Sequence, residues 1–355
     1  MRVGIISPPW ISVPPAAYGG IEAVVHTLAC ALVAAGHDVL LAASGDSSCP
    51  VPRVPGFPAA NANTVGLSLY ELRHVMQAYP AMRNVDIVHD HTLAGPFLRD
   101  SRVTVPIVTT VHGPFVPEML DVYRRRPAGV HLVAVSHHQA STARDVVITR
   151  VIHHGLETAD IPVGRGDGGY ACFLGRLHPD KGVVQAIAIA RGAGMSLRIA
   201  AKMRDAAEQE YFTTSIRPLL GPGCEFLGEL NTADKFALLG GAAVLINSIQ
   251  WDEPFGMVMI ESLATGTPVV TTPRGSAPEI VDDGRTGFIR ADKAGLVDAV
   301  QRVTGLDRGL CRRTAEERFS AKRMASEHIA LYAQVLSERR LPERRPHGYA
   351  GTSQL

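Results

Sequence analysis

What this 355-residue chain lacks narrows its chemistry before any motif is read. It has almost no net charge: 35 basic residues stand against 34 acidic ones, a formal +1. Without a basic excess there is no field for non-specific nucleic-acid binding, so a polyanion would have to be met locally. It has five cysteines, odd in number, scattered and nowhere spaced Cys-x-x-C, which predicts reduced thiols in a cytosolic protein. Its longest apolar stretch, residues 23–35, contains His26 and Thr27 and stops at Gly36, too short for a membrane span and suited to a buried helix. The short run 3–7 after Arg2 reads as a strand, not a secretory leader. None of the 18 aspartates lies two positions from another, so no Asp-x-Asp pair can hold a metal on a nucleotide diphosphate. Arginine, lysine and helix ends would have to neutralise such a ligand. A Gly-x-Gly-x-x-Gly match at residues 164–169 precedes a strand instead of following one, so it reads as a linker and not as a dinucleotide fingerprint.

What is present is a chain that is 46% hydrophobic and 19% charged, enough for sizeable cores in two to three domains. Strand signals at 3–6, 39–42, 87–88, 106–111, 132–135 and 151–153 alternate with helix signals at 20–35, 67–78, 92–98 and 137–146. Ser136 is placed to cap the last of these helices. The second half repeats the theme, with strands at 171–174, 197–201, 225–227, 244–246, 268–271 and 288–289. Its helices are expected at 182–193, 205–216, 233–239, 257–264 and 294–303. This alternation predicts an α/β protein with two doubly wound parallel sheets. The break falls in 159–169, where Pro162 and four glycines gather, giving domains over 1–158 and 159–316. A segment over 320–336 is amphipathic at helical spacing, with Met324, His328, Leu331 and Val335 on one side. The polar, Arg- and Pro-bearing end, 339–355, reads as a disordered tail.

Four blocks carry chemistry. Gly19 and Gly20 follow the first strand and a Pro-rich loop and open the first long helix, where backbone N–H groups can approach an anion; a tight loop needing positive φ is the competing reading. Arg176 and Lys181 sit in the loop after the first strand of the second half, where doubly wound folds bind ligands, and two fixed positive charges there suit a pyrophosphate. A surface pair between Arg176 and Asp180 is the alternative. Glu253 and Glu261 flank the start of a helix opened by Gly256, and two uncompensated glutamates beside a mostly apolar helix suit the hydroxyls of a sugar and a ribose. His112 ends a buried strand, at the carboxyl edge of the first sheet, as a substrate contact or a satisfied core histidine. In His89-Asp90-His91, strand alternation points both histidines one way and the aspartate the other, against a zinc cluster. Arg124, Arg125 and Arg126 read as a solvated run or, if functional, as a contact with an anionic acceptor or anionic lipid headgroups.

Taken together, Gly-Gly-Ile-Glu, Thr-Val-His-Gly, Gly-Arg-Leu-x-x-x-Lys-Gly, the Glu-x7-Glu block, Gly-Thr-Pro-Val-Val and Pro278-Glu279-Ile280-Val281 resemble the family-4 retaining glycosyltransferases of the GT-B fold. The resemblance spans nearly the whole chain. It implies two Rossmann-like domains facing across a cleft, a nucleotide-sugar donor held by the C-terminal domain and an acceptor on the N-terminal one. It implies retention at the anomeric carbon without a bound metal or other cofactor. By position, Arg176 and Lys181 would contact the donor diphosphate and Glu261 the ribose. Glu253 and the backbone of Phe255, Gly256, Met257 and Val258 would contact the transferred sugar. Gly19 and Gly20 would line the phosphate side, and His112 would lie near the reacting centre. A helix over 317–338 would cross back to the first domain. The acceptor, whether glycan, lipid or small molecule, is left open; nucleic acid is not expected. The protein is expected in the cytoplasm, with the arginine run as a candidate contact at the inner membrane surface. Two departures stand out: Arg274-Gly275-Ser276-Ala277 replaces a glycine pair, and His153-His154-Gly155 stands where Pro-Asn-Gly is common. A sugar phosphorylase or nucleotide-sugar epimerase on the same fold, or a non-catalytic nucleotide-sugar-binding protein, are the alternatives.

Overall fold

Short aliphatic runs bounded by turns become strands, and the central ones are buried almost throughout because helices cover both faces of each sheet. The computed structural model describes residues 1–98 and 104–340. The first six strands are β1 (Arg2–Ile6), β2 (Asp38–Ala42), β3 (Ile87–Asp90), β4 (Ile107–Val111), β5 (Val130–Ala134) and β6 (Arg150–Val151). They form one parallel sheet in the order β2-β1-β3-β4-β5-β6. The next six are β7 (Tyr170–Arg176), β8 (Ser196–Lys202), β9 (Cys224–Gly228), β10 (Val244–Asn247), β11 (Val269–Thr271) and β12 (Gly287–Ile289). They form a second parallel sheet ordered β12-β11-β10-β7-β8-β9. The winding direction reverses between β1 and β3 in one sheet and between β7 and β10 in the other. Each reversal leaves a crevice outside the carboxyl ends of the strands.

The chain crosses back once. Helix Ala321–Arg340 leaves the second domain and buries Met324, Leu331, Tyr332 and Val335 in the same core as Val25, Leu28 and Leu32 of helix Gly20–Ala34. Full burial of such a side chain is worth on the order of 2 kcal/mol, so the returning helix is part of the first domain's core. At the crossing, Leu156 N–H donates to Phe319 O at 2.8 Å, and Ala321 N–H donates to Leu156 O at 2.7 Å. Gly155 is required there, since a Cβ would lie 2.6 Å from the Ser320 carbonyl oxygen.

Several local expectations are corrected. The segment 159–169 is not a free linker: Gly164, Gly166 and Gly168 N–H groups bond the carbonyls of Thr265, Gly240 and Gly241, and Arg308 clasps the Gly164 carbonyl at 3.2 Å. The helix expected at 137–146 is only His137–Ser141, capped by Ser136 Oγ accepting from Gln139 N–H at 3.0 Å. The helix expected at 92–98 is a 3-10 turn, Gly95–Phe97. Helices Pro117–Arg124 and Arg308–Arg318 lie outside the expected elements; the first opens on Pro117, and proline is at home in a first helical turn. The tail expected to be disordered lies outside the described residues except for its first two positions.

Candidate active site

The two switch-point crevices face each other. Between them lies a cavity of about 720 Å³, walled on one side by Tyr18, Gly19 and Gly20 and on the other by Gly175, Met257, Val258 and Glu261. Thus five of the seven residues expected to bind donor, Gly19, Gly20, Met257, Val258 and Glu261, line one space, while Phe255 and Gly256 do not. The two glycines have different reasons to be there. A Cβ on Gly19 would sit 2.7 Å from Pro15 Cβ, so close packing of the Pro-rich loop requires it. A Cβ on Gly20 would meet nothing within 4 Å, which leaves the amino end of helix Gly20–Ala34 open to the cavity. No side chain caps that helix, so its first N–H groups stay available to an anion.

Arg176 ends β7, in register with Lys202 at the end of β8. Its Nε is buried without a hydrogen-bond partner among the described residues and lies 3.8 Å from Glu208 Oε1. Asp180 pairs with His178 at 3.1 Å, so the alternative Arg176–Asp180 pair is not formed. Lys181 closes a 3-10 turn that Gly182 ends at φ 74°, a left-handed conformation; a Cβ on Gly182 would overlap the Ser248 carbonyl oxygen. That contact fixes the lysine beside the end of β10.

The two glutamates are not uncompensated, as the sequence reading held. Lys181 Nζ is bonded to Glu253, and Lys235 Nζ donates to Glu261 Oε1 at 2.6 Å. These lysines stand 72 and 26 positions from their partners, beyond the reach of any local pattern. Gly256, at φ 89°, opens helix Met257–Ala264 with no side-chain cap, leaving N–H groups toward the cleft. Phe255 is buried, and its carbonyl already accepts from Ser276 Oγ. The altered loop 274–277 therefore braces the Glu253 loop: Gly275 N–H donates to Asp252 Oδ1 at 3.1 Å and Ser276 N–H to Glu253 O at 3.1 Å.

His112 follows β4 and does not line the large cavity. It lies in a column of imidazoles. His91 Nδ1 is 2.9 Å from His112 Nε2, the His112 and His154 rings stack at 5.2 Å, and His154 meets Phe255 at 4.9 Å. Behind them, His89 bonds Tyr332 Oη and Thr110 Oγ1, each at 2.7 Å. Burial pushes His112 down to about 3 and holds His89, His91 and His154 well below the usual imidazole value, so the column is uncharged near neutrality. As expected, His89 and His91 share one side while Asp90 points away, accepting from Tyr79 Oη at 2.6 Å.

Across the hinge, Glu279 accepts from the backbone N–H groups of His137 at 2.8 Å and His138 at 2.7 Å, and pairs with His153 Nε2 at 2.9 Å. Burial pushes this carboxyl up, but the three contacts together hold it below the usual range. The arginine run is not a free cationic patch. Arg124 bonds Asp145 at 2.7 Å and Asp121 at 2.5 Å, and Arg126 Nη1 donates to the Tyr123 carbonyl at 3.1 Å. Among the described residues no helix is long and apolar enough to cross a membrane.

Sequence reading missed Tyr18, Lys202, Glu229 and Lys235, all lining the cavity. Tyr18 N–H donates to Glu229 Oε1 at 3.1 Å, bridging the two domains, and Lys202 Nζ stands 5.4 Å from the Tyr18 ring centroid. Lys202 could have been found as a charge at the carboxyl end of a strand, the rule that located Arg176.

Two family models match, glycosyltransferase family 4 over residues 18–160 and glycosyl transferases group 1 over 169–305. The glycogen synthase of Mycobacterium tuberculosis is 28% identical over 85% of this chain and 86% of its own length. Among solved structures, AviGT4, a glycosyltransferase involved in avilamycin A biosynthesis, superposes with a TM-score of 0.76 at 24% identity, covering 95% of this chain and 98% of that one. Anabaena HepE in complex with UDP and glucose gives 0.72 at 18% identity, covering 94% and 100%. The chain belongs to the family-4 glycosyltransferases of the GT-B fold.

Proposed function

We propose that this glycosyltransferase moves a hexose-type sugar from a nucleotide-diphosphate sugar to an acceptor hydroxyl, with retention at the anomeric carbon and without a bound metal. The observation that carries the reading is the cleft itself. Glu261 and two open helix ends share one cavity, and its neighbouring loops hold Lys181, Glu253 and an Arg176 Nε without a partner. In this reading the nucleotide lies in the large cavity with its ribose hydroxyls on Glu261, and Lys235, bonded to that carboxylate at 2.6 Å, orients it. The diphosphate lies toward Arg176, Lys181 and the glycine-opened helix ends. Glu253 and the backbone N–H groups at 256–258 hold the sugar.

The leaving diphosphate gains charge as the anomeric bond breaks. Fixed cations and helix N–H groups stabilise that charge without reorganising. The acceptor oxygen attacks from the same face, and its proton passes to a leaving diphosphate oxygen. No dedicated nucleophile is assigned, Glu253 included. His112, neutral and oriented by His91, serves as a hydrogen-bonding group near the reacting centre and not as an acid. Metal independence is supported by the absence of any Asp-x-Asp pair and by cations already at the crevice. HepE, whose structure contains UDP and glucose, makes a UDP-hexose the first donor to try. The five free cysteines fit a cytoplasmic enzyme.

A thermal-shift panel of UDP, GDP, ADP and dTDP tests the reading, because only a bound diphosphate stabilises the fold by mass action. One of the four is expected to raise the midpoint. No shift from any of them would sink the donor assignment.

A further inference from the structure

Two thiols and an imidazole meet on the N-terminal side of the cleft. His26 and Cys30 stand four residues apart on helix Gly20–Ala34, and Cys30 Sγ lies 3.9 Å from each ring nitrogen of His26. Cys49 comes from the loop after β2, is 3% exposed, and hydrogen-bonds thiol to thiol with Cys30. One ligand atom from each of the three lies within 4.8 Å of the other two. A tetrahedral Zn²⁺ with sulfurs at about 2.3 Å and an imidazole nitrogen at about 2.0 Å sets its ligand atoms about 3.6–3.8 Å apart. The cluster is already close to that spacing.

The donor set selects the cation. Thiolate and imidazole suit a thiophilic ion, and the cluster offers no carboxylate oxygen to Mg²⁺ or Ca²⁺. Two thiolates cancel the charge of a divalent ion, so the occupied site is neutral, which a half-buried position favours. Burial pushes Cys30 up and Cys49 to about 12, so the free protein carries both as thiols. A coordinated thiol is deprotonated, and binding one Zn²⁺ therefore releases two protons to the buffer. The other group of this kind among the described residues is His137, His153 and Glu279. Its carboxylate is already spent on His153 and two backbone N–H groups.

We propose that His26, Cys30 and Cys49 bind one Zn²⁺, with the fourth position left to water. None of these ligands is assigned to the donor diphosphate, so the metal-independent transfer proposed above does not pass through this site. Ser48 and Cys49 N–H groups both donate to Val13 O at 2.9 Å. The loop beyond Val13 carries Pro14, Pro15 and Tyr18 into the large cavity, which His26 also lines. A cation here ties the first helix to the anchor of that loop, and so stiffens the N-terminal wall of the cleft.

Co²⁺ titration of the reduced full chain tests it, because Co²⁺ stands in for Zn²⁺ and reports its ligands by absorption. A single Co²⁺ per chain is expected, with thiolate-to-metal charge-transfer bands and the intense visible bands of a tetrahedral site. Zn²⁺ should bleach both, and Mg²⁺ should leave them unchanged. His26→Gln and Cys30→Ser, at half-buried helix positions, and the buried Cys49→Ser should each weaken binding by more than about tenfold. Losing even an outer-shell partner of a metal costs about 10–100-fold. Urea midpoints without metal report that each variant folds, and Zn²⁺ should raise the thermal midpoint of the wild type but not of Cys30→Ser. His137→Ala should bind like the wild type. No Co²⁺ binding, bands without thiolate character, or binding unchanged in folded His26→Gln and Cys30→Ser would overturn the inference. So would a loss in His137→Ala as large as that in His26→Gln.

Discussion

The two sides of the cleft handle polarity in opposite ways. The C-terminal side holds full charges in matched pairs, Lys181 with Glu253 and Lys235 with Glu261. The N-terminal side holds buried imidazoles that stay neutral, from His328 through His89, His91 and His112 to His154. On the proposed reading, such pairs would be redistributed when a diphosphate arrives, the ligand's charge replacing a carboxylate as the lysine's partner. Neutral imidazoles fix geometry and donate or accept without adding a field. On the proposed reading, one side would meet charge that develops on the donor and the other uncharged hydroxyls.

Removing a charge on the C-terminal side should break this contrast most severely. Lys181→Ala strands Glu253 and, on the proposed reading, removes a cation from the leaving diphosphate. Turnover should fall by about 10²–10³-fold, the scale of losing one preorganised stabilising group. Steady-state kinetics with the best donor checks it; near-normal turnover would deny Lys181 any role at the diphosphate. Glu261→Gln comes next. It should weaken the best-binding nucleoside diphosphate by about 10–100-fold, since hydrogen bonds to a charged group are worth roughly 1.5–3 kcal/mol. The corresponding deoxyribose nucleotide should show a smaller loss, and calorimetry on both would expose an equal one.

Acid sharpens the N-terminal side. Burial depresses His74 and His328 to about 4 and His112 to about 3, and it depresses His89, His91 and His154 as well. Below the unfolded imidazole value near 6.5 the unfolded chain takes up protons that the folded one refuses, so stability must fall with pH. The loss should begin near pH 6.5 and continue until the folded values are reached, each histidine contributing up to about 1.4 kcal/mol per pH unit. Glu279, held below the usual range, adds to the loss as pH falls through its folded value. Denaturant midpoints across that range would contradict the neutral column if they stayed flat. The smallest effect is expected at the arginine run. With Arg124 and Arg126 already bonded, Arg125→Ala should leave co-sedimentation with anionic vesicles unchanged.

Much of the fold was legible because its signals are local. Alternating aliphatic runs and helical stretches gave twelve strands in the right order, and the apolar spacing of Met324, His328, Leu331 and Val335 matched a face that is wholly buried. Glycine also spoke locally: Gly182 and Gly256 adopt positive φ where a loop turns into a helix. Site residues at strand ends, such as Arg176, could be placed by the same logic. The glycine-rich run 164–169 looked free, although the N–H groups of Gly164, Gly166 and Gly168 are bonded to distant carbonyls.

By itself the sequence determined the two doubly wound units, the returning helix, and which loops carry charge, because period and turn chemistry act over a few residues. Only the tertiary structure decided who meets whom. It set Lys235 on Glu261, Tyr332 on His89 and Glu279 on His153. Such contacts join residues tens to hundreds of positions apart. No local preference encodes them; they exist only once the sheets have packed and the chain has crossed back.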